Sequence, residues 1–515
     1  MRSTEAVLKY LLEDSSPVAK NYINGQFENP KDGKWLDSEE PATGRTWLKV
    51  ADSNEADVDD AVAAAHSAFK SWSETSADYR AALLNKVADI VEKNLDAFAQ
   101  LESKDQGKTV QMARQIEIPR CIKNFRAFAA AIQCHTNPSS FLEQPIRALS
   151  YVKQDPVGVS VLICPWNLPL YLLSFKLAPA LACGNTVVCK PSEMTSATAY
   201  ALMHAFVEAG FPSGVVNMVL GTGPQVGERM CSHKDVNLIS FTGSTPVGRH
   251  IAALAAPAHK KLSLELGGKN ASIVFDDVVL DDVIPTIVRS CFANQGEICL
   301  CTSRLYVQNT IYESFLHRLV LETKKIKVGD PNDADTYYGA LISRVHYDKV
   351  NSYIKYAKQE GYTIHCGGPL KLEGRLEELS LLIIMGHFIA PTIISDLPHN
   401  SKLFHEEIFG PVVAIARFDT AAEAVELANS VEYGLSASVW SRSTDNLMIV
   451  ANKLRVGTVW CNCWLVRDLR MPFGGTKQSG TGREGTEDSI HFFTEQKTVC
   501  LKFPHEQPIV LSGHT

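Results

Sequence analysis

The sequence predicts an α/β protein with a doubly wound, mostly parallel sheet followed by a second α/β domain. Three observations carry this reading. From Val159 onward, short apolar runs alternate with longer amphipathic ones. A second set of such runs begins after the Gly267-Gly268 pair. The 515 residues are also too many for one compact core.

The elements follow in order. The runs SVLIC (160–164), NTVVCK (185–190), VVNMVL (215–220) and NLISFT (237–242) read as strands buried on both faces. Between them, 169–182, 195–209 (opened by Thr195 and Ser196) and 224–232 read as crossover helices. In the second set, ASIVF (271–275) and RLYVQ (304–308) read as strands flanking a helix from about 281 to 298. Upstream, 60–130 is written as long amphipathic helices. Two strands far apart in sequence, 146–156 and 490–503, have apolar faces in need of partners and read as a small separate sheet that pairs across subunits. There is no internal repeat and no low-complexity segment.

Composition narrows the function. A net charge of -7 with dispersed Lys and Arg provides no footprint for nucleic acid. Thirteen cysteines, an odd count without framework spacing, read as reduced thiols. The N-terminal stretch lacks the apolar core of a secretion signal, and its Glu5, Glu13 and Asp14 are foreign to mitochondrial presequences. No run is long enough to span a membrane. A cytoplasmic enzyme is the expectation.

Five constellations could carry chemistry. In FANQGEICLCTSR (292–304), Cys299 and Cys301 are equal candidates for a nucleophile, and neither belongs to a plausible metal site, since no second ligand pair accompanies them. Glu265 ends an apolar run before two glycines, a setting that raises a carboxyl toward the range of a general base. FTGSTPVG (241–248) places Gly243, Ser244 and Gly248 at a strand-to-helix turn, with Thr245 expected as N-cap and Pro246 as first helical residue. Such a helix start can hold a pyrophosphate, although the spacing is not that of the usual dinucleotide fingerprint. Trp166 and Asn167 end the first strand, where α/β sheets bind ligands, and the Asn167 amide could donate to an oxyanion. Lys190 and Glu193, at the end of the next strand, could bind ribose hydroxyls. Taken singly, each has a structural reading at least as good.

Their order and spacing together resemble the aldehyde dehydrogenase superfamily from about residue 20 to 503. The matching motifs are PWNLP, KPSE, FTGSTPVG, LELGGKN, the cysteine segment, EEIFGPV (406–412) and PFGGTKQSG (472–480). The resemblance implies an aldehyde dehydrogenase-like fold. Its Rossmann-type NAD-binding domain would span 1–134 and 157–266, its α/β catalytic domain 267–470, and a small β oligomerisation sheet with a C-terminal arm 135–156 and 471–515. It selects Cys299 as nucleophile, Glu265 as general base, and Asn167 with the Cys299 N–H as oxyanion hole. It gives Lys190 and Glu193 to the adenosine ribose, Trp166 and Ser244 to the pyrophosphate, and Glu407 and Phe409 to the nicotinamide side. It implies NAD as cofactor, because Glu193 would repel a 2′-phosphate, and a homodimer or homotetramer. Lys176 and Glu484 resemble a pair that relays protons or supports structure.

Within the superfamily, SKDQGKT (103–109), IPRCIKNFRAFA (118–129), GEICLCTSR and NCWLVRDLRMPFGG (462–475) resemble the muconic semialdehyde branch. That implies 2-aminomuconic semialdehyde, an intermediate of tryptophan breakdown by the kynurenine route, as substrate; retinal or a broad aldehyde range is the rival, and a non-catalytic crystallin-like role the alternative of another class. It also places Arg120 and Arg467 in the substrate pocket, holding a carboxylate. On pattern alone Arg120 lies opposite the apolar face of its helix and reads as solvated, and Arg467 reads as a loop charge with Arg470 as rival. One departure from the family stands out, an unusually apolar stretch at 376–385 where a short loop is expected.

Overall fold

The computed structural model describes residues 3–144, 146–370 and 386–503, so the apolar stretch at 376–385 lies outside the described residues. Two large sheets dominate. The first has eight strands: Gly480–Thr481, Lys261–Glu265, Leu238–Thr242, Val159–Ile163, Thr186–Lys190, Val216–Met218, Asn21–Ile23 and Gln26–Glu28, in that spatial order. Its five central strands are parallel, and it is closed on both sides by antiparallel neighbours. The central strands Val159–Ile163, Thr186–Lys190 and Leu238–Thr242 are buried at every residue, which explains their unbroken apolar runs. The crossover helices Pro169–Ala182 and Ala197–Ala209 lie where the periodicity places them.

Chain order reverses at Val159–Ile163: the next two parallel strands lie to one side and the following two to the other. Such a switch opens a crevice at the carboxyl ends of the strands. PWNLP, KPSE and the FTGSTPVG turn all leave their strands at that end, so the topology gathers three motifs into one place.

The second sheet has seven strands, drawn from Asn270–Val274 through Thr458–Cys461, and is parallel except for its edge strand Thr363–Pro369. The helix between its first two strands is shorter than expected. It runs Leu280–Phe292, not to about 298, because Asn294, Gln295 and Gly296 take φ of 51°, 58° and 73°. Three successive left-handed residues cannot continue a right-handed helix.

The two isolated strands find each other. Ala148–Pro156 pairs antiparallel with Thr494–Lys502, and Ser139–Leu142 adds a third strand. The later strand begins at Thr494 instead of 490, since 486–493 forms the helix Thr486–Phe493. A further sheet that the periodicity did not suggest, Val18–Ala19, Arg45–Ala51 and Trp35–Glu40, packs near the N-terminus. No helix among the described residues is long and apolar enough to cross a membrane.

Candidate active site

The left-handed turn after Phe292 carries the chain to Cys299 along a loop whose carbonyls from Cys299 to Cys301 are tied down. Asn270 Nδ2 donates to the carbonyls of Cys299 (2.6 Å) and Cys301 (2.9 Å), and Trp464 Nε1 donates to that of Leu300 (3.1 Å). At Gly296 a side chain is impossible on two counts, its positive φ and the Gly410 carbonyl, which would lie 2.4 Å from a Cβ. The two candidate cysteines separate here. Cys299 is half-buried and lines the large crevice, whereas Cys301 is buried and turns its Sγ toward the Ala293 carbonyl, 3.7 Å away. The Cys299 thiol is held well above the ordinary range, first by burial and then by the charges of Glu265 and Glu407.

Asn167 is buried on the same crevice, with its Nδ2 donating one N–H to the Glu297 carbonyl at 2.9 Å. A primary amide has two N–H donors, so a second remains for a ligand. Glu265 ends its strand only 4% exposed, with Oε1 lacking any hydrogen-bond partner. Its carboxyl is pushed well up, chiefly by burial and then by Glu484, against the pull of Lys176, Arg467 and Arg483. Gly474 packs so closely that a Cβ there would lie 2.7 Å from Glu265 Oε1. Glu265 does not line the crevice itself, but its charge acts on the Cys299 thiol and that of Arg467 acts on it. Lys176 Nζ donates to Glu484 Oε1 and Ser240 Oγ, each at 2.9 Å.

The crevice has a volume of about 580 Å³. Trp166, Lys190, Glu193, Ser244, Glu407 and Phe409 all line it, as does Gly243. Gly248 does not; it packs beneath Leu266, whose Cδ2 would lie 2.5 Å from a Cβ. The helix start is one residue earlier than expected: Ser244, not Thr245, is the N-cap of Thr245–Ala255, and its hydroxyl makes no capping bond. The first backbone N–H groups of that helix are therefore free to meet an anion. Lys190 Nζ lies 3.3 Å from Glu193 Oε2. Glu407 accepts the Gly268 N–H at 2.9 Å, and burial raises its carboxyl. These features, together with the apolar wall of Val247, Ile251 and Leu254, suit a dinucleotide: an apolar slot, an anion site and a carboxylate near the ribose position.

Two lining residues escaped the sequence reading. His346 Nε2 meets the Phe409 carbonyl at 2.6 Å, its ring lies 5.1 Å from that of Trp166, and burial brings its pKa down to about 4. Lys349 lies one turn on. The only local signal is Ser343, which caps their helix.

Arg120 and Arg467 sit on a separate, aromatic surface. Arg120 is half-buried and not solvated as its helical position suggests, because the helix Pro169–Ala182 packs against that side as well. Its guanidinium lies 4.9 Å from the Tyr171 ring centroid, Nε donates to Asn124 Oδ1 at 3.1 Å, and Nη2 is buried without a partner. Arg467 Nη1 donates to the Tyr171 hydroxyl at 2.8 Å, and its guanidinium lies 3.6 Å from the Phe473 ring centroid. Among the described residues neither arginine forms an ion pair. Arg470, the rival, is tied to Asp468 at the surface. Nor do the described residues contain a cluster of His, Cys, Asp and Glu able to hold a metal ion.

Comparison with known proteins places this geometry. The family model described as "Aldehyde dehydrogenase family" matches residues 27–499. The 2-aminomuconic semialdehyde dehydrogenase of Danio rerio is 52% identical over 96% of this chain and 99% of its own length. That of Homo sapiens is 51% identical over 94% of this chain and 98% of its own. Among solved structures, the NAD+ complex of an aldehyde dehydrogenase from Bacillus cereus superposes with a TM-score of 0.91 at 37% identity, covering 96% of this chain and 98% of the other.

Proposed function

The chain belongs to the aldehyde dehydrogenase family and is an NAD-dependent oxidoreductase acting on aldehydes; from that premise we propose that its substrate is an aldehyde bearing a carboxylate, 2-aminomuconic semialdehyde, oxidised to 2-aminomuconate in tryptophan catabolism. One observation carries the choice of substrate. Two guanidinium groups converge on Tyr171 and Phe175 without a carboxylate partner among the described residues, and one Nη2 is buried with no acceptor. A buried cation without an acceptor is costly unless a ligand provides one. An apolar retinal-type substrate would leave that cost standing. The muconic semialdehyde dehydrogenases among the relatives point to the same class.

The chemistry assigns each residue a role. Cys299, as thiolate, attacks the aldehyde carbon, and the free N–H of the Asn167 amide with the backbone N–H of Cys299 holds the oxyanion. NAD, when bound, supplies the hydride acceptor for the oxidation. The product of that step is a thioester on Cys299. Glu265, with its high proton affinity, takes a proton from water so that hydroxide cleaves the thioester and frees the acid and the thiol. Ser244 and the helix start behind it suit the pyrophosphate, Lys190 and Glu193 the ribose, and Glu407 and Phe409 the nicotinamide end. The three-stranded sheet exposes Phe141, Leu142 and Leu501 and suits assembly into a homodimer or homotetramer. All thirteen cysteines are free thiols, which fits a reducing compartment such as the cytoplasm.

The test is a comparison of kcat/KM for semialdehydes with and without a distal carboxylate, matched in length. A preference for the acid-bearing member supports the proposal; equal values, or preference for the neutral or retinoid aldehyde, overturn it.

A further inference from the structure

The segment 103–109 carries part of the family likeness, yet nothing in the reaction so far uses it. Its lysine is a deeply buried charge. Lys108 and Glu117 are both 0% exposed, with Nζ 2.6 Å from Oε2. Gly107, at φ +94°, ends the helix Leu95–Gln106 and turns the chain so that Lys108 enters the interior. The Lys108 N–H donates to Gln106 Oε1 (3.0 Å), and its carbonyl accepts from Ser103 Oγ (2.6 Å). An ion pair buried this deeply seldom stabilises a fold more than apolar residues of the same volume would. Its position calls for another reason.

The contacts of the ammonium supply one. Lys108 Nζ also donates to the main-chain carbonyl of Asn167, at 3.0 Å. The same carbonyl accepts from Asn294 Nδ2 at 3.1 Å. The Asn167 side chain donates to the Glu297 carbonyl, which Asn294 Nδ2 reaches as well, at 3.3 Å. Asn167 is thus gripped at its main chain and its side chain by one connected set of buried polar groups. The other oxygen of Glu117 accepts the Tyr171 N–H at 3.1 Å, in the first turn of the helix that follows Asn167. That helix start has no side-chain cap of its own, with Leu168 at φ -133°, ψ 69°. Without Lys108 the peptide after Asn167 loses its charged donor and keeps only that of Asn294.

We propose that Lys108, held by Glu117, is a positioning residue for the oxyanion-binding amide of Asn167. It acts on the reaction through Asn167 and touches neither aldehyde nor NAD. The proposal rests on the oxyanion role of Asn167.

The experiment is a double-mutant cycle of Lys108→Met and Asn167→Ala, with kcat counted per Cys299 reactive toward iodoacetamide, so that misfolded enzyme does not enter. Lys108→Met alone is expected to lower kcat roughly tenfold to a hundredfold, since small misplacements of reacting groups have effects of that order, with KM for aldehyde and NAD little changed. In the Asn167→Ala background the same change should cost no more than about twofold, because residues acting through one another are not additive. An equal loss in both backgrounds, or wild-type kcat in Lys108→Met, overturns the proposal alone. Wild-type kcat in Asn167→Ala removes the oxyanion role, and the proposal with it. If Lys108→Met yields no folded protein, Lys108→Met/Glu117→Gln takes its place with the same outcomes; it removes both charges of the pair together and keeps an acceptor for the Tyr171 N–H.

Discussion

Arg120 and Arg467 approach the same ring: their guanidinium carbons lie 5.8 and 5.4 Å from the centroid of Phe175. Like charges brought together this way repel, both side chains are half-buried, and the Arg120 guanidinium is partly desolvated. A bound carboxylate would relieve both effects. Arg120→Ala and Arg467→Ala should each lower kcat/KM for an acid-bearing semialdehyde about tenfold to a hundredfold, from the roughly 1.5–3 kcal/mol of a hydrogen bond to a charged group. A neutral aldehyde of similar length should be nearly unaffected. Equal losses on both substrates would make the arginines structural.

Glu265→Gln should leave attack by Cys299 intact and slow thioester cleavage by about 10²–10⁴-fold, the usual contribution of a general base. The expected trace is one burst of NADH followed by slow turnover, with an acyl adduct on Cys299 visible by mass spectrometry. Unchanged steady-state turnover would assign the base to another group.

The proton on Cys299 predicts a pH dependence. Its thiol is raised by burial and by nearby carboxylates, so alkylation by iodoacetamide should be slow at neutral pH and accelerate as pH rises. In Glu265→Gln one of those negative charges is gone, which favours the thiolate, so the curve should move to lower pH. It should move only part of the way, since burial is the larger cause. A shift to higher pH would mean that Glu265 assists deprotonation more than its charge opposes it. Cys299→Ala should abolish NADH formation, and Cys301→Ala should retain most of it together with the label on Cys299.

Glu193 faces the crevice and is already engaged by Lys190, 3.3 Å away. A 2′-phosphate there meets a carboxylate whose neighbouring cation is taken. NAD should be preferred over NADP, and Glu193→Gln should narrow the preference on the order of tenfold, a value suited to a partly solvated like-charge contact. Equal kcat/KM for the two cofactors in the wild type would show that Glu193 points away from the ribose.

Where burial dictates residue type, the sequence was readable. The strands at Val159–Ile163 and Thr186–Lys190 are enclosed on both faces, so they are apolar throughout, and their ends locate the crevice. Where tertiary contacts decide, it was not. Asn294 and Gln295 adopt left-handed φ without glycine's warning, so the sequence pattern runs the helix six residues past its end at Phe292. Periodicity leaves Arg120 to water because a second helix, invisible to it, covers that face; only the family resemblance points inward. The different placements of Cys299 at the crevice and Cys301 in the interior go with loop hydrogen bonds from Asn270 and Trp464, residues distant in sequence from both. Lys108 and His346 act over similar distances and leave no periodic trace.

The strand Gly480–Thr481 seals the edge of the first sheet directly beside Glu265, with Gly480 opposite Glu265 and the Leu266 N–H bonded to the Ser479 carbonyl at 2.9 Å. Ribosomes make roughly 5–20 residues per second, so Glu265 is made some ten to forty seconds before the strand that braces it. In that interval the growing chain carries the Glu265 carboxylate without the turn at Gly474 that packs against its Oε1. On the role proposed for Glu265, hydrolytic turnover therefore waits until synthesis of the chain is nearly finished.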